Sequence, residues 1–319
     1  MANGNPAGSL WSKWDLHVHT PYSLVHRFPG ADEEAWRLFL DDLEKLPPEF
    51  KVIGINDYIF VEGYDRVLRE KRSGRLKNID LLLPVVELRL DKFAGIVKRD
   101  DEGNYSRSDW NRINLHVIFD QLEPEIIRQQ FLNALTPSYT LIPESADFRG
   151  KWQAVITRQS LAQLGEMVIA SAPAEKRHQY GPPLLEGFNN LCVSLESVRK
   201  ALENHDLKDH HLLAVGKAEW ANMKWNDHSV AEKRNVINSV HFVFTAAENP
   251  ARYTAARKQL RDSKVLDKLL DCSDAHALST SADKDRLGNC STWIKADATF
   301  EGLRHALQAA VKARCAAEQ

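Results

Sequence analysis

The sequence predicts an α/β fold, in its simplest form one irregular barrel. Short apolar runs alternate with amphipathic stretches along all 319 residues, which favours parallel strands separated by helices. No internal repeat or low-complexity segment divides the chain, so a single domain spanning 1–319 is expected. Histidines and carboxylates end or interrupt several of the apolar runs, as they do where a barrel builds a site on its strand ends.

Taken in order, the candidate strands are 14–19, 52–56, 81–88, 113–119, 212–216, 241–244, 269–273 and 293–296. Between the first two, 31–46 reads as a helix. Ala35, Leu38, Phe39, Leu43 and Leu46 share one face, and Pro47-Pro48 stops it. Further helices are expected over 124–135, 160–170 and 194–204. The clearest is the last, over 299–314, where Phe300, Leu303, Leu307, Ala310 and Val311 fall on one face, with Arg304, Lys312 and Arg314 elsewhere. The polar stretches 100–109 and 173–183 read as surface loops.

Composition removes several classes of function. Lys+Arg 42 against Asp+Glu 44 gives a net charge of -2, so no global basic field draws in nucleic acid, although a local patch is compatible with it. Cys192, Cys272, Cys290 and Cys315 form no CxxC pair, which argues against a disulfide framework or a thiolate zinc site. The N-terminal stretch lacks a basic region followed by an apolar core, and no apolar run approaches the roughly 18 residues of a membrane span. The expectation is a soluble, cytoplasmic protein with reduced thiols and no membrane partner.

The chemistry concentrates in four places. In DLHVHT, residues 15–20, strand alternation points His17 and His19 the same way, a natural pincer for a divalent ion. In DCSDAH, residues 271–276, Asp274 and His276 repeat that spacing just past an apolar run. Glu87 in PVVELRL and His116 in NLHVIF are polar residues inside strand-like runs. Burying either costs several kcal/mol unless it is paired, hydrogen-bonded or coordinated. Taken singly, His116 reads as a satisfied core histidine and Glu87 as the partner of Arg89 or Arg112; taken together, coordination is the simpler account.

These motifs resemble the polymerase and histidinol phosphatase (PHP) superfamily over roughly residues 14–276. DLHVHT is similar to its first motif, Glu87 to its bridging glutamate, His116 to its mid-chain histidine and SDAH to its last motif. GNCSTWIKADATFEGL, with PVVELRL and INDY, is closer still to the PHP domains joined to SMC-like or AAA-like ATPases in bacterial phage-defence proteins. No Walker-type GxxxxGK[ST] occurs in this chain. The resemblance implies a distorted (β/α)7 barrel holding up to three ions of Mn, Zn or Fe. It assigns the first ion to His17, His19, Glu87 and Asp274, the second to Glu87 and His116, and the third to His276 with His26. In three places the sequence departs from the pattern, the first being His26, which lies one residue further from His19 than the corresponding histidine of the superfamily. Tyr58 stands where a histidine ligand is expected, and strand 212–216 runs into GKAEW, where Lys217 replaces a histidine and Glu219 is an alternative ligand.

The expected function is therefore a metal-dependent phosphoesterase, foremost a nuclease on DNA or RNA in phage defence, with Asp274, His276, Lys217 and Arg89 at the reacting centre. Alternatives are a phosphomonoesterase for a small molecule, or a degenerate module that regulates or docks on an ATPase. Asp15 and Asp57 read equally as carboxylates orienting ligands and as turn or cap residues. Arg69, Lys71, Arg72, Arg75 and Lys77 around Gly74 read as a phosphate grip or as a solvated helix end. Lys284, Arg286 and Lys295 are expected near the site mouth. Trp220, Trp225 and Trp293 suit base stacking or core packing. Asn189, Asn190 and Asn226 read as loop hydrogen-bonders, and Cys272 as a small buried residue.

Overall fold

The computed structural model describes residues 10–94, 96–99, 105–108, 112–138, 140–141, 154–221, 223, 225, 230–308 and 314–315. Its strands are β1 (Trp11–Val18), β2 (Phe50–Asn56), β3 (Leu81–Phe93), β4 (Ile96–Arg99), β5 (Tyr105–Ser108), β6 (Arg112–Phe119), β7 (Thr140–Leu141), β8 (Leu191–Cys192), β9 (His211–Val215), β10 (Phe242–Thr245), β11 (Leu269–Asp271), β12 (Thr292–Lys295) and β13 (Arg314–Cys315). Each of the eight strands expected from the sequence has its counterpart among them.

A single nine-stranded sheet runs in the order β11-β10-β9-β6-β3-β2-β1-β12-β13. The segment after β11 then reaches back to β1: Val18 bridges Ala275 in parallel, and His19 N–H donates to Ala275 O over 3.0 Å. These contacts curl the sheet into a nearly closed barrel. Strands β1–β3 and β9–β11 pair in parallel, as the alternation predicts. β6 departs from it, lying antiparallel to both β3 and β9. The cause lies in the connection. β3 passes into the β4–β5 hairpin rather than into a helix, and a chain that turns back without a crossover can only re-enter antiparallel. The stretch expected as a loop over 100–109 thus holds β5; the rest of it lies outside the described residues.

Apolar side chains fill the barrel below the strand ends: Trp14, Leu16, Leu83, Val85, Ile118, Leu212, Phe242 and Phe244 belong to one buried cluster. Helices cover the outside. Asp32–Glu44 buries Ala35, Phe39 and Leu43 as expected. The region expected as a helix over 124–135 is helical throughout, with a π segment at Ile127–Leu132. Arg158–Ser171 starts at a capping box in which Thr157 and Ser160 exchange hydrogen bonds of 3.0 Å. Within 173–183, Ala174–Gln179 forms a 3-10 helix instead of a plain loop. The final helix spans Phe300–Gln308; Ala310, Val311 and Lys312 lie outside the described residues, and Arg314–Cys315 is a strand on β12, not the helix end. Helix Pro250–Asp262 escapes sequence reading because it buries only Leu260 and so carries no apolar stripe.

One irregularity sets up the site. The β1–β2 register shifts between Asp15 and Val18. Leu16 therefore stays in the interior cluster while the next residue, His17, turns to the polar end of the barrel. Gly54 of β2 lies against this bulge, where a Cβ would stand 2.6 Å from Leu16 O.

Candidate metal centre

His17 and His19 leave the C-terminal end of β1, Asp274 and His276 follow β11, and Glu87 and His116 face each other as partners across β3 and β6. Their side chains meet over Phe244, whose ring lies 5.4 Å from His17 and 5.2 Å from His116. Nε2 of His17 is 3.2 Å from Nε2 of His19, 3.1 Å from Asp274 Oδ1 and 3.5 Å from Glu87 Oε2. Nε2 of His19 lies 3.4 Å from Asp274 Oδ1 and 3.8 Å from Glu87 Oε2. Nε2 of His116 approaches Glu87 Oε2 to 3.4 Å.

Two groups here could each hold a metal ion: His17, His19 and Asp274, and His17, Glu87 and His116, with ligand atoms within 4.8 Å of one another in each. The donor chemistry fits. Burial lowers the pKa of His17, against Asp274 and Glu87, and with repulsion from His276 brings His19 to about 3, so burial favours the neutral, ligating form of both imidazoles. Burial opposes ionisation of Glu87, but His116 and His17 outweigh it and hold the carboxyl well below its ordinary range. Asp274 is likewise depressed against burial, by His17, His19 and Lys217. His116 is 1% exposed and its ring nitrogens make no well-aligned hydrogen bond; Nε2 has the Glu87 carboxylate at 3.4 Å, which raises the His116 pKa against burial, and a cation shared with Glu87 would take the place of that proton. Imidazoles mixed with carboxylates suit Zn, Mn or Fe.

Supporting contacts fix the ligands. His19 Nδ1 bonds Ser23 Oγ at 3.0 Å, which leaves Nε2 facing the cluster. Asn56 Nδ2 donates to Glu87 Oε2 over 2.7 Å, and Asn114 Nδ2 donates to Oε1 over 2.6 Å. Neither asparagine stands out in the sequence reading, although Asn114 shares a strand face with His116. Asn114→Ala is expected to keep the fold and weaken metal binding roughly 10–100-fold, the usual effect of losing such a support. Titration of the purified variant with metal checks this; unchanged affinity would remove Asn114 from the site.

His276 stands differently. Its Nδ1 donates to Asp274 O over 2.7 Å, so Nε2 is a bare acceptor and receives the Tyr58 hydroxyl at 3.3 Å. The ring stacks on His19, with centroids 3.9 Å apart. His276 belongs to neither ligand group. Tyr58, at the position of an expected histidine, has its pKa raised by burial and by Glu87, so it remains a neutral donor. Lys217 sets its ammonium 3.1 Å from Asp274 Oδ2. Two ligand-region residues, Tyr58 (φ 57) and Asp274 (φ 53), hold left-handed backbone without being glycine, a strain that surrounding structure must impose.

The other expected residues sort by position. Burial and the nearby Glu87 raise Glu219 to about 7, and its carboxylate folds over Gly216 beside His116. His26 stacks on Phe28 and stands outside both ligand groups. Arg89 lies over the Phe188 ring at 4.0 Å and donates to Asn189 Oδ1 over 2.5 Å. Asp15 accepts from Ser273 N–H at 3.1 Å, and Asp57 from Thr20 N–H at 2.9 Å, so both carboxylates tie down backbone. Burial raises their pKa values to about 7 and about 8. Cys272 is buried, as expected.

Several expected contributors lie elsewhere. Trp293 and Lys295 pair with Lys13 and Trp11 at the start of β1, the end opposite the histidines. Trp220 is a core residue whose Nε1 donates to Phe244 O over 2.7 Å, and Trp225 packs against the core. Arg286 is not among these contributors: it pairs with Ala277, next to His276, and donates to Asp283 O, so it keeps its place beside the SDAH motif. The basic segment around Gly74 is largely neutralised locally: Arg72 pairs with Glu123, Arg75 with Asp41 and Glu44, and Arg69 with Asp65. It is a solvated helix end. Asn190 caps its own helix through Glu186 O, and Asn226 lies outside the described residues.

Searches against models of known protein families and among curated proteins gave no match. No helix of the described residues is long and apolar enough to cross a membrane.

Proposed function

We propose that this chain is a metal-dependent phosphoesterase and, within that class, a nuclease hydrolysing DNA or RNA phosphodiesters. The observation that carries the proposal is the pair of ligand groups joined at His17, with Glu87 and Asp274 completing them. A bound divalent ion supplies charge neutralisation and a hydroxide source at neutral pH. The chain's own residues supply the rest. Glu87 and Asp274 bring anionic donors beside neutral imidazoles. Lys217, held by Asp274, is a fixed cation for the non-bridging oxygens of a phosphate. Arg89 offers a second cation, pinned over Phe188. The resemblance to the PHP superfamily favours phosphoesters over other substrates, and its closest variety extends the proposal to an ATPase partner and phage defence.

Burial of the cluster favours a second reading, a phosphomonoesterase for a small molecule. The side chains of His17, His19, Glu87 and His116 are at most 5% exposed, and Asp274 is 21% exposed. Access this narrow suits a compact substrate better than a duplex. Protein reconstituted with Mn, Zn or Fe should be offered single- and double-stranded oligonucleotides and a simple phosphomonoester, beside His17→Ala. Oligonucleotide cleavage that the substitution abolishes is the expected result. Turnover of the monoester alone selects the second reading, and cleavage undiminished in His17→Ala rejects both.

A further inference from the structure

The opposite end of the barrel carries a second concave site. A cavity of about 350 Å³ opens there, lined among others by His211, His241, Lys268 and Arg304. Four elements bring these groups together. His211 is the first residue of β9, His241 immediately precedes β10, Lys268 immediately precedes β11, and Arg304 lies on helix Phe300–Gln308. All three strand positions are N-terminal ends, so the cavity is separated from the metal centre by the apolar filling of the barrel.

Its charge is poorly compensated. Lys268 forms no ion pair among the described residues. Arg304 donates through Nη1 to the main-chain oxygen of Asp209 over 2.9 Å, while its Nε lies 3.8 Å from the exposed Glu301. Asp209 is the acidic side chain among the lining residues. The histidines are held by backbone. Leu213 N–H donates to His241 Nδ1 over 2.9 Å, which puts the ring proton on Nε2. His211 Nδ1 donates to Leu207 O over 3.0 Å, which leaves its Nε2 bare until a second proton arrives.

We propose that this cavity binds a phosphate-type dianion carried by a small molecule, through Arg304, Lys268, His241 and His211. The volume stands at the lower end of the range of about 300–1,000 Å³ for small-molecule sites. The chain's net charge of -2 lacks the broad positive field that a long polyanion uses.

Binding is coupled to protons. Burial lowers both histidines from the ordinary value of 6.5, His241 to about 4. Repulsion adds to it: His211, Arg304 and Lys268 face His241, and Arg304 and His210 face His211, with Asp209 acting in the opposite sense. Without an anion, the contribution of these two histidines to folded-state stability is therefore complete above 6.5 and is lost as pH falls towards about 4, because in that window the unfolded chain binds more protons. A dianion reverses the repulsion and draws a proton onto His211, so it stabilises more strongly in mild acid.

The test is thermal unfolding against inorganic phosphate and, separately, sulfate, at about pH 6 and about pH 8. Sulfate is dianionic at both and controls for phosphate's own titration. The wild type, Arg304→Ala, Lys268→Ala and His17→Ala are compared. A saturable rise in Tm is expected in the wild type and in His17→Ala, larger near pH 6, with apparent affinity at least about tenfold weaker in Arg304→Ala and Lys268→Ala. A rise that vanishes in His17→Ala assigns the anion to the metal centre and overturns the proposal. So does an unsaturable rise common to all four proteins, which is general exclusion of the salt from protein surface, or no rise at all.

Discussion

Asp274→Asn is expected to strip the metal from the protein and to lower phosphoester hydrolysis by roughly 10³-fold or more, beyond the 10–100-fold typical of a group that only supports a ligand. The substitution keeps the size and shape of the side chain, so the expectation rests on charge. Oδ1 of Asp274 faces His17 Nε2 at 3.1 Å and His19 Nε2 at 3.4 Å, while Oδ2 faces the Lys217 ammonium at 3.1 Å. An amide has one oxygen. Turned towards Lys217, it presents an NH2 to the imidazole pincer, where a cation should sit. Turned towards the pincer, it presents the NH2 to the ammonium. The fold should survive. Breaking a fully buried ion pair costs about 3–5 kcal/mol, but both side chains keep some solvent contact, 21% for Asp274 and 24% for Lys217, so the cost here should be nearer 1–2 kcal/mol. Elemental analysis reads the metal directly. Melting with and without chelator separates metal loss from unfolding: the wild type should lose Tm on chelation and the variant should not. A variant that retains a full complement of metal would remove Asp274 from the ligand set.

The parts of this site that were legible in the sequence are the spacings and the polar interruptions: the HxH of β1 shares a face by a period of two, the DxH follows an apolar run, and Glu87 and His116 each interrupt one. Which way the HxH faces is set by the bulge, and Asp274, at φ 53, has left the alternation. What depends on a neighbouring strand was not legible. Trp293 and Lys295 sit close in sequence to SDAH, yet β12 pairs antiparallel with the start of β1 and carries them to the far end of the barrel. The reversal of β6 is set by a hairpin whose strands are only four residues each. Asn56 and Asn114 matter because they converge on one carboxylate from two different strands, and neither strand's own sequence marks that meeting. Tyr58 was legible as a departure from the pattern of the superfamily that the motifs resemble. Its use of the hydroxyl to occupy His276 Nε2 depends on a contact between residues 218 positions apart.

The bulge in β1 was also invisible to local reading, and it yields the second large expected effect: Gly54→Ala should abolish tight metal binding although Gly54 touches no metal ligand side chain. A Cβ at this position would lie 2.6 Å from Leu16 O and 2.8 Å from Leu16 Cα and C. These are backbone atoms within a hydrogen-bonded strand, so no rotamer change relieves the clash. β1 must move away from β2, and β1 carries His17 and His19. Overpacking costs about 1–3 kcal/mol where side chains can adjust; here the upper end is expected, with Tm lower by roughly 5 °C. A displacement of about 1 Å in a functional group typically costs on the order of 10²-fold, so metal affinity should fall further than stability alone explains. Gly74→Ala is the control. It meets no atom within 4 Å, but its φ of +103° makes alanine strained, so stability falls with the site untouched. Weak metal binding in Gly54→Ala beside normal binding in Gly74→Ala would show that the bulge aims the histidine pincer. Equal metal affinity in both variants would mean that the ligands find their positions through the ion, and that the register shift in β1 is only a feature of its pairing.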